Sequence, residues 1–149
     1  MSSEKEEELR IREIDLKDAV FSAITFAQAE ISKIRVGAAV LAINSKGDSS
    51  LFSGCNIEIS FSRAFHAENV ALLKAISSGS TNIKAIGVTS DSKIKQAAAM
   101  CGCCRQDYMY LNPDCMIYVF KPETKSEAHR YNEVSVFIQR NDEVVFARN

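Results

Sequence analysis

The sequence predicts an α/β fold, a mixed sheet with helices on both faces. Three observations carry the prediction. "VGAAVLAI", from Val36, is a short apolar run that turns at "NSKGDSS" into a second run, "LFSGCNI", and so reads as a hairpin. After it, helical and strand-like patterns alternate to the end of the chain. The later strand patterns, "IKAIGVTS" and "CMIYVF", are mostly apolar, as expected of strands covered on both sides.

Taken in order, residues 1 to about 13 form a charged tail, solvated and partly disordered, because they contain little that can be buried. Residues 14–149 form a single domain. In "DLKDAVFSAITFAQAEI", Leu16, Ala19, Val20, Ala23, Ile24 and Ala27 recur at helical spacing, with Asp15 as the N-cap. The hairpin follows. "HAENVALLKAISSG" is a helix with a glycine just past its end, and "IKAIGVTS" a strand. "CGCCRQDYMYLN" is a short helix stopped by Pro113, and "CMIYVF" a buried strand. "VSVFIQ" and "EVVFA", around "RND", form a further strand or hairpin.

Composition excludes several classes. With 149 residues the chain has the size of one domain, and 46% hydrophobic and 25% charged residues suit a globular protein. The net charge of -1 offers no basic excess for nucleic acid. No apolar run is long enough for a membrane span, and the charged N-terminus does not read as a secretory signal. A cytoplasmic location is therefore expected, where the five cysteines serve as ligands or buried apolar residues rather than in disulfides.

Two stretches carry chemistry. "FHAENVAL" places His66 and Glu68 in the first turn of a helix, and "MCGCCRQ" places Cys101 and Cys104 at the start of another. One imidazole and two thiolates form the three-ligand set of a catalytic zinc site, with water in the fourth position. Helix N-termini favour the thiolate form. Glu68, two residues from a ligand, stands where a general acid–base would. Each stretch alone is weak. A thioredoxin-like redox pair and a structural zinc site are both compatible with "CGCC". A structural site needs a fourth protein ligand, however, and His129 in "KSEAHRYNE" reads as a solvated loop residue. On a helix Cys103 points away from the other two, and Cys55 and Cys115 belong to apolar runs.

Together these residues resemble the zinc-dependent cytidine deaminases, whose signature is H-x-E followed by P-C-x-x-C. "VGAAV" resembles the first strand of that family, "GCNIE" at Gly54 its ribose-binding motif, and "HAE" and "CGCCRQ" its two metal motifs, in family order across roughly residues 15 to 120. The resemblance implies a three-layer α/β/α sandwich around a five-stranded mixed sheet, Zn²⁺ as cofactor, and a homotetramer or homodimer with sites built across subunits. It implies that His66, Cys101 and Cys104 hold the metal. Glu68 moves protons from water to N3 and the leaving amino group. Asn56 and Glu58 bind the ribose 3′-hydroxyl, and the backbone at Ala67 and Ala99 meets the base edge. The expected reaction is deamination of cytidine or deoxycytidine. The alternatives are deamination of another cytosine nucleoside, such as blasticidin S, and nucleoside binding without turnover.

The chain also departs from the family. Met100 stands in place of proline and Ile34 in place of a base-packing phenylalanine, while the stretch from Gly54 to His66 is one residue short. The C-terminal leucine-proline motif is missing. Asn69 stands where an arginine offsets a three-thiolate site, which fits a centre with one neutral imidazole. Arg63, in the shortened stretch, is the residue that could receive a phosphate, and Arg105, after a ligand, supports the thiolates.

Overall fold

A computed structural model of the chain describes residues 3–92, 100–120, 134–140 and 143–146. Helix α1 (Ser3–Ile24) leads into β1 (Val36–Ile43) and β2 (Ser49–Cys55). The short strands β3 (Ile57–Ser60) and β4 (Arg63–Phe65) precede α2 (Ala67–Ser77), β5 (Asn82–Ser90), α3 (Gly102–Leu111) and β6 (Met116–Phe120). Strands β7 (Val134–Arg140) and β8 (Glu143–Phe146) close the chain.

The main sheet has the order β2-β1-β5-β6-β7-β8. It is mixed, because β5 and β6 run parallel while every other neighbouring pair is antiparallel. Six strands rather than the five implied by the resemblance stand in it among the described residues, since the chain's last segment pairs as a hairpin.

Strand β1 shows how the three layers arise. Successive side chains leave a strand on opposite faces. Ala38, Val40 and Ala42 join the core beneath α2 and α3, with Ala71, Leu72, Ala75, Cys104 and Tyr108. Ala39 turns the other way, into the core beneath α1, with Leu16, Val20 and Phe120. Leu16 and Val20 lie one helical turn apart, so one face of α1 covers that side. The Phe21 and Phe120 rings meet there at 6.4 Å between centroids.

Two expectations for the first helix are overturned. Asp15 is not an N-cap, because α1 begins at Ser3 and passes through it. The preceding glutamates, lysine and arginines are good helix formers, and charge alone does not stop a helix. At the other end α1 stops at Ile24, before Ala27. The amides of Thr25, Phe26 and Ala27 donate to the carbonyls of Ser22, Ala23 and Ile24, a tightened final turn.

Helix α2 lies almost directly on β2. A β-carbon at Gly54 would come 2.6 Å from the Ala67 carbonyl oxygen and from the Ala71 amide, so only glycine permits this approach. The packing brings the N-terminus of α2 over the end of the sheet where β2 passes into the β3–β4 ribbon.

Candidate active site

The site begins at two helix ends. His66 is the N-cap of α2, with extended backbone, and its imidazole caps nothing. Cys101 is the N-cap of α3, and its sulfur accepts the Cys104 N–H at 3.5 Å. The imidazole is thus free to turn toward α3. Its Nδ1 lies 3.3 Å from the Cys101 sulfur and 3.3 Å from the Cys104 sulfur. The three donor atoms all fall within 4.8 Å of one another. With zinc–nitrogen near 2.0 Å and zinc–sulfur near 2.3 Å, the edges of a tetrahedral centre are about 3.5 Å, so this donor set fits zinc. Among the described residues no other cluster of three such side chains is present.

The surroundings grade from wet to dry. His66 is exposed, Cys101 half-buried and Cys104 fully buried. Burial pushes the Cys104 thiol well above its ordinary value, and the negative charge of Glu68 adds to the shift. A bare thiolate is therefore unwelcome at this depth, and a cation is what makes one acceptable. Cys103 is exposed, as its position between the ligands requires.

Glu68, in the first turn of α2, is 5% exposed. Burial raises its carboxyl above the ordinary 4.5, partly offset by hydrogen bonding to the backbone and by His66. A carboxyl shifted this way holds its proton closer to neutral pH, as a proton shuttle must. Its backbone carbonyl accepts the buried Tyr108 hydroxyl at 2.7 Å. Tyr108 was not among the residues expected from sequence. Its place four residues after Cys104, on the same face of α3, is the signal that could have found it.

A cavity of about 270 Å³ opens beside the donor set, small for a ligand pocket. Its lining joins His66, Cys101 and Glu68 to Ala67, Asn56 and Glu58, with Ile34, Val36, Val88 and Phe65 as apolar walls. One Glu58 oxygen accepts the backbone N–H groups of Ile31 (2.8 Å) and Ser32 (3.1 Å). Hydrogen bonding from Ser32 leads in holding the Glu58 carboxyl below its ordinary value. Asn56 accepts from the Val36 amide and donates to the Ile34 carbonyl, both at 2.8 Å. Each end of that amide still has one bond to give. Both residues therefore pin the loop before β1 and face the cavity.

Ala99 and His129 lie outside the described residues. Arg63 is exposed on β4 and is not among the cavity's lining residues. Arg105 is half-buried, with its Nε unpartnered among the described residues. The β3–β4 ribbon was missed in the sequence because "SFSR" carries none of the glycine, proline or asparagine that usually marks a turn.

A three-layer α/β fold with a His-Cys-Cys centre at two helix N-termini, and a buried glutamate beside it, defines a zinc-binding protein of the hydrolytic kind. Residues 14–120 match the family model for the cytidine and deoxycytidylate deaminase zinc-binding region, and the chain belongs to that family. It is 36% identical over 110 residues to a cytidine deaminase of Halalkalibacterium halodurans, covering 72% of this chain and 78% of that one. It is 41% identical over 81 residues to a cytidine deaminase of Sporosarcina psychrophila, where the match spans 54% of this chain and about half, 55%, of the relative. The crystal structure of cytidine deaminase from Burkholderia pseudomallei superposes with a TM-score of 0.63 at 27% identity, covering 83% of this chain and 90% of that one.

Proposed function

We propose that this chain is a zinc-dependent hydrolase that converts cytidine or deoxycytidine to uridine or deoxyuridine and ammonia. The observation that carries the proposal is the cavity whose lining joins His66, Cys101 and Glu68 to Asn56 and Glu58. His66, Cys101 and Cys104 hold the metal. When bound there, Zn²⁺ supplies a hydroxide nucleophile near neutral pH. Glu68 takes the proton released from water and delivers it to N3 of the pyrimidine, which makes C4 electrophilic. After hydroxide adds to C4, the same carboxyl carries the remaining proton of that oxygen to the amino group, and ammonia leaves. Burial of Glu68 suits both transfers, because it raises the carboxyl above its ordinary value and so eases uptake of a proton.

In this reading Asn56 and Glu58 take the ribose 3′-hydroxyl, and the backbone at Ala67 and Ala99 meets the base edge. A cytoplasmic setting and a role in pyrimidine salvage complete it. All five cysteines are free, as suits a reducing compartment. Among the described residues no helix is long and apolar enough to cross a membrane. Residues 14–149 act as one domain in this reading, after a charged segment 1–13. A homotetramer, or a homodimer, is the proposed assembly. An open groove of about 640 Å³ between α2 and α3 supports it, since Leu73, Tyr110 and Leu111 line it and are exposed in the single chain.

The test is ammonia release from cytidine, deoxycytidine, deoxycytidylate, free cytosine and blasticidin S on one zinc-loaded preparation. The expected result is turnover of the two nucleosides above the rest. No release from any of them would sink the proposal.

A further inference from the structure

We propose that Asn69 is a positioning residue for the metal centre, a switchable amide that links the Cys104 sulfur to Asp107. Asn69 lies on α2, half-buried, one residue beyond Glu68. Its Oδ1 accepts from the Cys104 sulfur at 3.5 Å, and its Nδ2 donates to Asp107 Oδ2 at 3.0 Å. Cys104 and Asp107 are three residues apart on α3, so one amide bridges two groups on the same helix face.

The arrangement has a direction. A carboxylate only accepts, so Asp107 draws the N–H₂ end of the amide and leaves its oxygen facing the sulfur. That suits a thiol, which donates. It does not suit a metal-bound sulfur, which has given its electron pair to the cation and released its proton to solvent, and can only accept. Loading the metal therefore turns the amide by half a rotation. The exposed Asn69–Asp107 bond is exchanged for an N–H···S bond to a buried sulfur, and Asp107, exposed on α3, is freed. Bonds to charged, buried partners are the stronger kind, so the exchange favours the loaded state. Asn69 thereby orients Cys104, and Asp107 opposes the turn through its bond to Asn69. This inference rests on the zinc site proposed above and not on the choice of substrate.

The test is zinc affinity of the full chain, measured by competition with a chromophoric chelator and without nucleoside. Asn69→Ala should weaken zinc about 10- to 100-fold, the usual effect of losing a group that orients a ligand. Asn69→Asp keeps the shape and removes both N–H donors, so it should weaken zinc at least as much, even if the alanine variant folds poorly. Asp107→Ala should tighten zinc several-fold more when Asn69 is present than in the Asn69→Ala background. Cobalt-loaded Asn69→Asp should show a shifted sulfur-to-metal charge-transfer band. Wild-type affinity in both Asn69 variants, or an Asp107→Ala effect equal in both backgrounds or of opposite sign, would overturn the inference. If the wild-type chain itself binds no zinc, this inference and the proposed function fail together; if only the variants behave as wild type, the proposed function stands.

Discussion

The Tyr108 hydroxyl donates to the Glu68 carbonyl oxygen at 2.7 Å, so the helix that carries Cys103 and Cys104 is bonded directly to the first turn of α2. Tyr108 is fully buried. Tyr108→Phe keeps the ring and removes one buried bond, which should cost about 1 kcal/mol of stability. Denaturant unfolding of the zinc-loaded protein measures it. A larger fall in kcat than in zinc affinity is expected, because Glu68 is the residue the bond holds.

Glu68→Gln keeps size and removes the base. Zinc should remain bound, and turnover should fall at least ~10²-fold, the lower range for a general acid–base group. Steady-state rates and zinc content on the same sample decide it. Equal rates would exclude Glu68 as the shuttle.

The Glu68 carboxyl is raised above its ordinary 4.5 by burial, which fixes the sign of a pH effect on the metal-free protein. Both folded and unfolded chains carry the proton at low pH. As pH rises, the unfolded chain ionises first, and the folded state bears a growing penalty until its own carboxyl ionises. Wild type should therefore lose stability relative to Glu68→Gln as pH climbs from 4.5 toward neutrality. Chemical unfolding of both metal-free proteins across that range checks the slope.

The raised Cys104 thiol makes zinc binding a proton-releasing event. Zinc affinity should fall as pH falls. X-ray absorption of the loaded protein should give two sulfurs near 2.3 Å and one nitrogen near 2.0 Å, at about one zinc per chain. A fourth protein ligand in the shell would contradict a catalytic centre.

Glu58 holds the Ile31 and Ser32 amides with one oxygen and lines the cavity. Glu58→Gln should lower kcat/KM for a nucleoside about ten- to a hundredfold, the range of a charge-assisted bond of roughly 1.5–3 kcal/mol. Free cytosine, without a sugar, should be affected far less. An equal loss for both would assign Glu58 a role in loop order alone.

Much of this molecule is legible in its sequence, because β1 is apolar on two faces and the ligands sit where helices begin. A buried strand such as "VGAAVLAI" has one way to satisfy both sides, and His66, Cys101 and Cys104 occupy N-cap and first-turn positions that local pattern reveals. Long-range relations were harder to read. The Tyr108–Glu68 bond joins residues 40 apart, and the spacing of Tyr108 from Cys104 marks a shared helix face but not the partner. The charged start of α1 reads as a tail for the opposite reason, since strong helix formers without an apolar face resemble one, and the structure makes it helical from Ser3. The β3–β4 ribbon forms at a turn without the usual turn residues, where pairing and not propensity decides.

The His66–Cys101 contact spans 35 positions of the chain. An ion held there fastens α2 to α3 across everything folded between them, and an unfolded chain has no such grip to offer. The melting temperature of this protein should then act as a gauge of free zinc. Each tenfold rise above the dissociation constant adds about 1.4 kcal/mol to the folded state, so the same polypeptide is sturdy in a zinc-replete compartment and perishable in a starved one.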